Sequence, residues 1–459
     1  MYADVERFSF DETKHFYRVL QQQGRVALAA DGNEQAAIVL HLVQRLAADV
    51  IGPAGGPGFK VVSTGKGLGV STGHYWVDGL LVENGPNPVE AGELVLSTDL
   101  KAQPDYPSSV AWTAGAGVIL YLDVWERHIG AAEDDSIRDP ALGGPDTCTR
   151  TKLVWQVKAM SGLKFKDPAK DAAAQWHNLS RDLYPRLRGK LAVQVDRPAG
   201  PLDPCQAPGS FGYYGNENQL YRVEIHRGGR LDAEDSEGRP VPPTWKWSRN
   251  NGSDVYPLAS ITGTTAVLAG APLDCRKQLA VDDIVEVVDD WSVLLGQPGP
   301  LARVMDVRDD EDDVTVLLSA GPTGAITAER HPLLRRWDGT GEFGDDGAVL
   351  GIEVKESAAD AADWTELEDG IYARFDQPAA GGANTYRTGD YWTFAARAAT
   401  GEVLWPADGT TPRPLPPQGV DHHLAPLAAF SAGAAGSVPE DKDLHDMRSG
   451  IVPIAKPVA

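Results

Sequence analysis

Cysteine is scarce in this 459-residue chain: three residues, Cys148, Cys205 and Cys275, far apart and odd in number. That count excludes a disulfide framework and fits a reducing compartment. Basic residues are also short, with 42 Lys+Arg against 65 Asp+Glu and a net charge of −23. A nucleic-acid partner is therefore not expected, because phosphate binding needs a concentrated basic surface. No stretch reaches the ~18 uncharged apolar residues of a membrane span. The nearest, Ala36 to Ile51, carries His41, Gln44, Arg45 and Asp49. The opening Met1 to Arg7 lacks a basic region followed by an apolar run, so no signal peptide is expected.

What is present is globular: 42% hydrophobic and 23% charged residues. Its 49 glycines and 33 prolines are spread along the chain and exceed the average joint usage of about 12%. Dense punctuation of this kind predicts a mainly β, multi-domain protein built of sandwich or barrel modules, with an N-terminal helical segment.

The expected helix runs from Asp31 to Ile51. Asp31 and Glu34 form a capping-box-like start, and Val39, Leu42, Val43, Leu46 and Val50 recur at helical spacing before Gly52-Pro53. Shorter helices are expected over Lys14 to Gln23 and Trp176 to Leu187. Beyond Gly58 the period changes to two, and strands are read at His74 to Leu81, Glu93 to Leu96, Val118 to Trp125, Gln219 to His226, Thr244 to Ser248 and Tyr391 to Ala396, among others. In chain order this gives an N-terminal helical segment (1–58), a first β domain (59–160), a linker (161–215), second and third β domains (216–345 and 346–430) and a tail (431–459).

Candidate chemistry is thin. Gly69-Val70-Ser71-Thr72-Gly73 matches G-x-S-x-G, but a nucleophile elbow needs a helix after the serine, and a strand from His74 is expected instead. His422-His423 beside Asp421 has no second histidine at metal-ligand spacing, and His445-Asp446 has none either. Glu133-Asp134-Asp135 and the Asp309 to Asp313 run lack the Asp-x-Asp-x-Asp-Gly loop of a calcium site, and read as solvated turns. Trp245 and Trp247 share a strand face, as a sugar-stacking platform or, more commonly, as core. No catalytic residue, metal site or cofactor is assigned.

Longer phrases carry a resemblance. They are Lys14-His15-Phe16-Tyr17-Arg18-Val19-Leu20-Gln21-Gln22-Gln23-Gly24-Arg25-Val26, Tyr121-Leu122-Asp123-Val124-Trp125-Glu126-Arg127, Glu217-Asn218-Gln219-Leu220-Tyr221-Arg222-Val223-Glu224-Ile225-His226 and Tyr386-Arg387-Thr388-Gly389-Asp390-Tyr391-Trp392. With them the chain resembles, from residue 10 to about 430, uncharacterised bacterial proteins of phage-tail-like loci, notably extracellular contractile injection systems. The resemblance implies a structural, non-enzymatic subunit at the baseplate or spike end: a peripheral baseplate, cage or fibre-attachment protein. Implied partners are other particle subunits and further copies of the chain, assembled in the cytoplasm within a particle that can be released. The alternatives are a glycan- or cell-surface-binding fibre module and an envelope polysaccharide-degrading enzyme. The expected assembly contact is Phe16, Tyr17, Val39, Val43, Leu46 and Val50.

Overall fold

A computed structural model describes the chain apart from residues 65–66, 86–95, 109, 145, 184–187, 197–211, 271–277, 311–312, 345–346, 359–362, 379–383, 434–437 and 452–459. The protein is mainly β, about 40% strand against 15% helix. Helix α1, Ala29–Ile51, is the longest, and α2, Pro168–Leu183, the next.

Two compact units share the chain. One comprises Ser9–Arg127, Thr151–Arg186 and Asp421–Ala459; the other comprises Met1–Phe8, His128–Arg150 and Leu187–Val420. This differs from the expected division into consecutive domains at residues 58, 160, 215, 345 and 430. The physical reason is strand pairing, which is long-range and leaves no mark in local periodicity. Thus Lys190–Val195, inside the expected linker, pairs with Ile371–Asp376, and His422–Ser431, inside the expected third domain, pairs with Gly117–Ile129.

In the first unit, a four-stranded sheet (His445–Asp446, His422–Ser431, Gly117–Ile129, Arg150–Leu163) packs with two three-stranded sheets built from residues 54–99. One face of Gly117–Ile129 supplies Val118, Leu120, Leu122 and Val124 to the core, where they meet Val70, Tyr75, Trp155, Leu427 and Phe430. On the opposite face α2 covers Ile119 and Ala429 through Ala172 and Trp176. The tail is tied down: Arg448 donates to the Gly58 carbonyl at 2.6 Å and the Ser449 amide to the Tyr75 hydroxyl at 3.1 Å.

The second unit joins a sandwich to a closed barrel. The barrel runs Val255–Thr262, Thr265–Leu268, Asp313–Leu318, Leu301–Asp310, Ile284–Val288, Leu333–Trp337 and back, filled by Leu258, Ile261, Val285, Val304, Val316 and Leu334. The sandwich has a five-stranded antiparallel sheet: Ile352–Glu353, Thr244–Ser248, Gln219–Arg227, Tyr391–Arg397 and Glu402–Val403. Its apolar face carries Tyr221, Val223, Ile225, Trp245, Trp247, Trp392 and Phe394 against Leu191, Val193, Ile371 and Phe375 of the second sheet.

Two local expectations are corrected. α1 begins at Ala29 without a side-chain cap. Glu34, read as half of a capping box, instead accepts from the Ser9 hydroxyl at 2.6 Å. Lys14 to Gln23 is not helical; one 3-10 turn, Glu12–Lys14, precedes it, closed by His15 in the left-handed region. The expected strand Glu93 to Leu96 lies mostly outside the described residues, where Leu96–Asp99 is strand.

Candidate functional site

Two features concentrate chemistry: the outer face of α1, and a buried charge cluster in the second unit. α1 rests on the hairpin of Gly73–Val77 and Leu80–Asn84. Its seat is Gly79, at φ +82°, where an added Cβ would come within 2.2 Å of the Gln44 carbonyl oxygen. Only glycine lets the helix backbone approach so closely. Ile38 and Ala47 are the buried residues of the helix beyond its first turn. The segment before the helix lies along it: Phe10 packs on His41 with ring centroids 5.5 Å apart, and the Val19 amide donates to Gln35 Oε1 at 2.8 Å.

The expected stripe points the other way. Val39 is 52% exposed, Val43 48%, Leu46 64% and Val50 51%, and Leu40 and Leu42 are exposed beside them. Phe16 and Tyr17 on the neighbouring segment are exposed as well. All six expected contact residues are therefore uncovered within this chain. Surface helices normally carry polar residues outward, so an apolar stripe on the outer side of α1 departs from the usual pattern.

The buried cluster was not legible. Alternation along Gln219–Arg227 puts Arg222, Glu224 and His226 opposite the apolar face, the position of solvated residues in a one-sided sheet. Here that face is buried too, against the outer wall of the barrel: Arg222 is 1% exposed, Glu224 3%, Lys246 2%, Glu286 5% and Arg335 4%. Glu224 accepts from Arg222 Nε at 2.6 Å and pairs with Lys246 at 3.3 Å. Lys246 donates to Glu286 of the barrel at 2.5 Å. Glu286 also accepts from the Trp337 indole at 3.0 Å and the Gly299 amide at 3.2 Å.

Residues 1–3 complete the cluster. The Tyr2 ring lies 4.1 Å from the Arg222 guanidinium and 3.7 Å from that of Arg335, and the Tyr391 ring lies 3.8 Å from Arg222. The Tyr2 hydroxyl donates to Glu224 at 2.9 Å, and Asn251 holds the Met1 and Ala3 carbonyls. Burial opposes ionisation of both glutamates, but Arg222 and Lys246 outweigh it at Glu224, and Lys246 with His226 at Glu286, so both carboxyls lie below their ordinary range. Burial, then Lys246, pushes His226 down. Each charge is satisfied by the protein itself, which makes the cluster an internal joint between sandwich and barrel.

The remaining sequence candidates are placed as follows. Ser71 is buried at a strand end, accepts from the Lys60 amide at 3.0 Å, and is followed through Gly73 by a strand. His422 meets Asp123 at 2.8 Å and stacks on Trp125, and Lys158 holds the other Asp123 oxygen at 2.7 Å. His423 turns to Asp78 at 3.1 Å. Trp245 and Trp247 are core residues. Asp310 and Asp313 face each other in the acidic hairpin. Cys148 is exposed and free. Among the described residues no three His, Cys, Asp or Glu side chains group to hold a metal ion, and no helix is long and apolar enough to cross a membrane.

Fold and site together define a mainly β protein of two interleaved units that carries an uncovered apolar helix. Residues 1–182 and 183–438 match a family of unknown function, DUF6519, and the chain belongs to that family. No curated protein and no solved structure matches it.

Proposed function

We propose that the protein is a structural, non-catalytic subunit of a phage-tail-like contractile particle, docked at the baseplate or spike end through α1 and the segment before it. The observation that carries this reading is the exposed stripe Val39, Val43, Leu46 and Val50, flanked by Phe16 and Tyr17. Fully burying one exposed large apolar side chain is worth roughly 1.5–3 kcal/mol, and these six, about half exposed, gain about half of that each on being covered. A symmetric particle repeats that contact around its axis. The β units are then the projecting body. The glycan-binding alternative loses its proposed platform, because Trp245 and Trp247 lie in the sandwich core.

The test must spare residues 1–8, since Tyr2 completes the buried cluster and a deletion of residues 1–52 would open it. Particles are purified from cells that make the Val43→Asp/Leu46→Asp protein. Expected is loss of the subunit from the particle fraction with its solution fold intact. Loading equal to wild type refutes the docking reading.

A further inference from the structure

We infer that the outer face of α1 is a two-fold seam to a second copy of this chain. The inference rests on the docking reading above and names its partner. Val39, Val43, Leu46 and Val50 are spaced four, three and four residues apart, the d-a-d-a order of two heptads. Both a positions, Val43 and Val50, are β-branched and the central d position is Leu46, as two-stranded coiled coils prefer, with Val39 at the outer d position the one departure. Leu40 and Leu42 flank the seam at e and g and widen it.

At 100° per residue, Val39, Val43, Leu46 and Val50 lie diametrically opposite Ala37, His41, Gln44 and Ala48, the less exposed side of the helix. One side therefore serves the chain's own unit and the other is free for a second helix. Two heptads alone are too short to hold a coiled coil, but each helix is already formed and seated on its hairpin, so no folding entropy is spent on pairing.

Area and charge agree with a second copy. The six apolar residues of the α1 seam and its flanks, with Phe16, Tyr17 and Leu20 before it, are between 43% and 74% exposed. Taking about 150 Å² of full surface for each large side chain, they offer roughly 750 Å². A stable interface needs about 800 Å² from each partner. The chain is acidic at −23, yet residues 39–50 hold one carboxylate, Asp49 at a flanking g position, against one cation, Arg45, so the seam itself carries no net charge toward a second copy.

Sedimentation of the full chain at micromolar concentration tests this. Wild type is expected as a dimer, and Val43→Asp/Leu46→Asp as a monomer with unchanged circular dichroism and melting midpoint, because both side chains are exposed in the single chain. Leu46→Cys adds a second readout. Its Cβ faces its own symmetry mate, so mild oxidation should give at least tenfold more covalent dimer than the wild-type background from the three native cysteines. A wild-type monomer at about 100 μM, or a double variant that still dimerises, overturns the seam. A wild-type monomer whose double variant fails to load particles rejects the second copy and keeps the docking reading. A dimer broken by the double variant, with particle loading intact, supports the seam and rejects docking.

Discussion

Replacing Glu286 with leucine should destabilise the sandwich–barrel unit by about 3–5 kcal/mol, the usual result of removing one partner from a buried ion pair. Lys246 is 2% exposed and loses its 2.5 Å partner. Its remaining carboxylate, Glu224 at 3.3 Å, is already shared with Arg222 and the Tyr2 hydroxyl. The Trp337 indole and the Gly299 amide lose their acceptor as well. At roughly 2–4 °C per kcal/mol for a unit of this size, the midpoint should fall by about 6–20 °C. Thermal melting followed by tryptophan fluorescence measures the midpoint, and urea denaturation the free-energy loss. The double variant Lys246→Met/Glu286→Leu removes both charges and leaves Glu224 with Arg222, so it should be more stable than Glu286→Leu alone. A loss under 1 kcal/mol for Glu286→Leu, or strict additivity in the double variant, refutes the reasoning. Acid reports on the same groups. Glu224 and Glu286 are held below the ordinary 4.5, so the stability they contribute is complete above that value and drains as pH falls toward their folded values. The wild-type midpoint should therefore decline from about pH 5 downward, and the double variant should flatten that slope.

Tyr2→Phe keeps the stacking between Arg222 and Arg335 and should cost about 1 kcal/mol through the lost hydroxyl, whereas Tyr2→Ala should cost about 3 kcal/mol by chemical denaturation. Gly79→Ala should lift α1 from its hairpin, read as faster hydrogen exchange across residues 38–48 with the sandwich–barrel unit unaffected. A fluorophosphonate probe should leave Ser71 unlabelled, since its hydroxyl is buried and already engaged; labelling would reveal a nucleophile the geometry does not provide. His226 is held below the ordinary 6.5, so its share of stability is present above that value and is lost as pH falls through its folded one; His226→Phe should remove this early part of the acid response.

Much of the fold was legible because its signals are local. The 3.6 and 2.0 periods located α1 and most strands, but His74 to Leu81, read as one strand, is instead the hairpin on which α1 sits, turning at Asp78-Gly79 between Gly73–Val77 and Leu80–Asn84. The α1 stripe was also legible, as spacing; that it points outward was not, because α1 has apolar residues on both sides and sequence does not say which side meets the hairpin. The division into units was hidden because pairing partners lie up to about three hundred residues apart, as Asp123 and Leu424 do. The buried cluster was hidden for a subtler reason. Arg222, Glu224 and Lys246 alternate with core residues just as solvated residues would, and only the barrel wall, supplied by Glu286, Arg335 and Trp337, converts that face into interior. The sole hint was pairwise: Glu224 opposes Lys246 across the ladder.

The chain passes between its two units five times, which has a consequence for how it is made. The sheet of the second unit lacks its Tyr391–Arg397 strand until that segment leaves the ribosome, and the first core lacks Ala425, Leu427 and Phe430 until the His422–Ser431 strand follows. At about 5–20 residues per second, synthesis to that point takes roughly 20–90 s. Until Tyr391 emerges the sandwich core and the first core stand open together, whereas the barrel has all its strands once Trp337 is made. The surplus of acidic residues then acts on the still unfolded chain, holding neighbouring nascent chains apart until the last strands arrive.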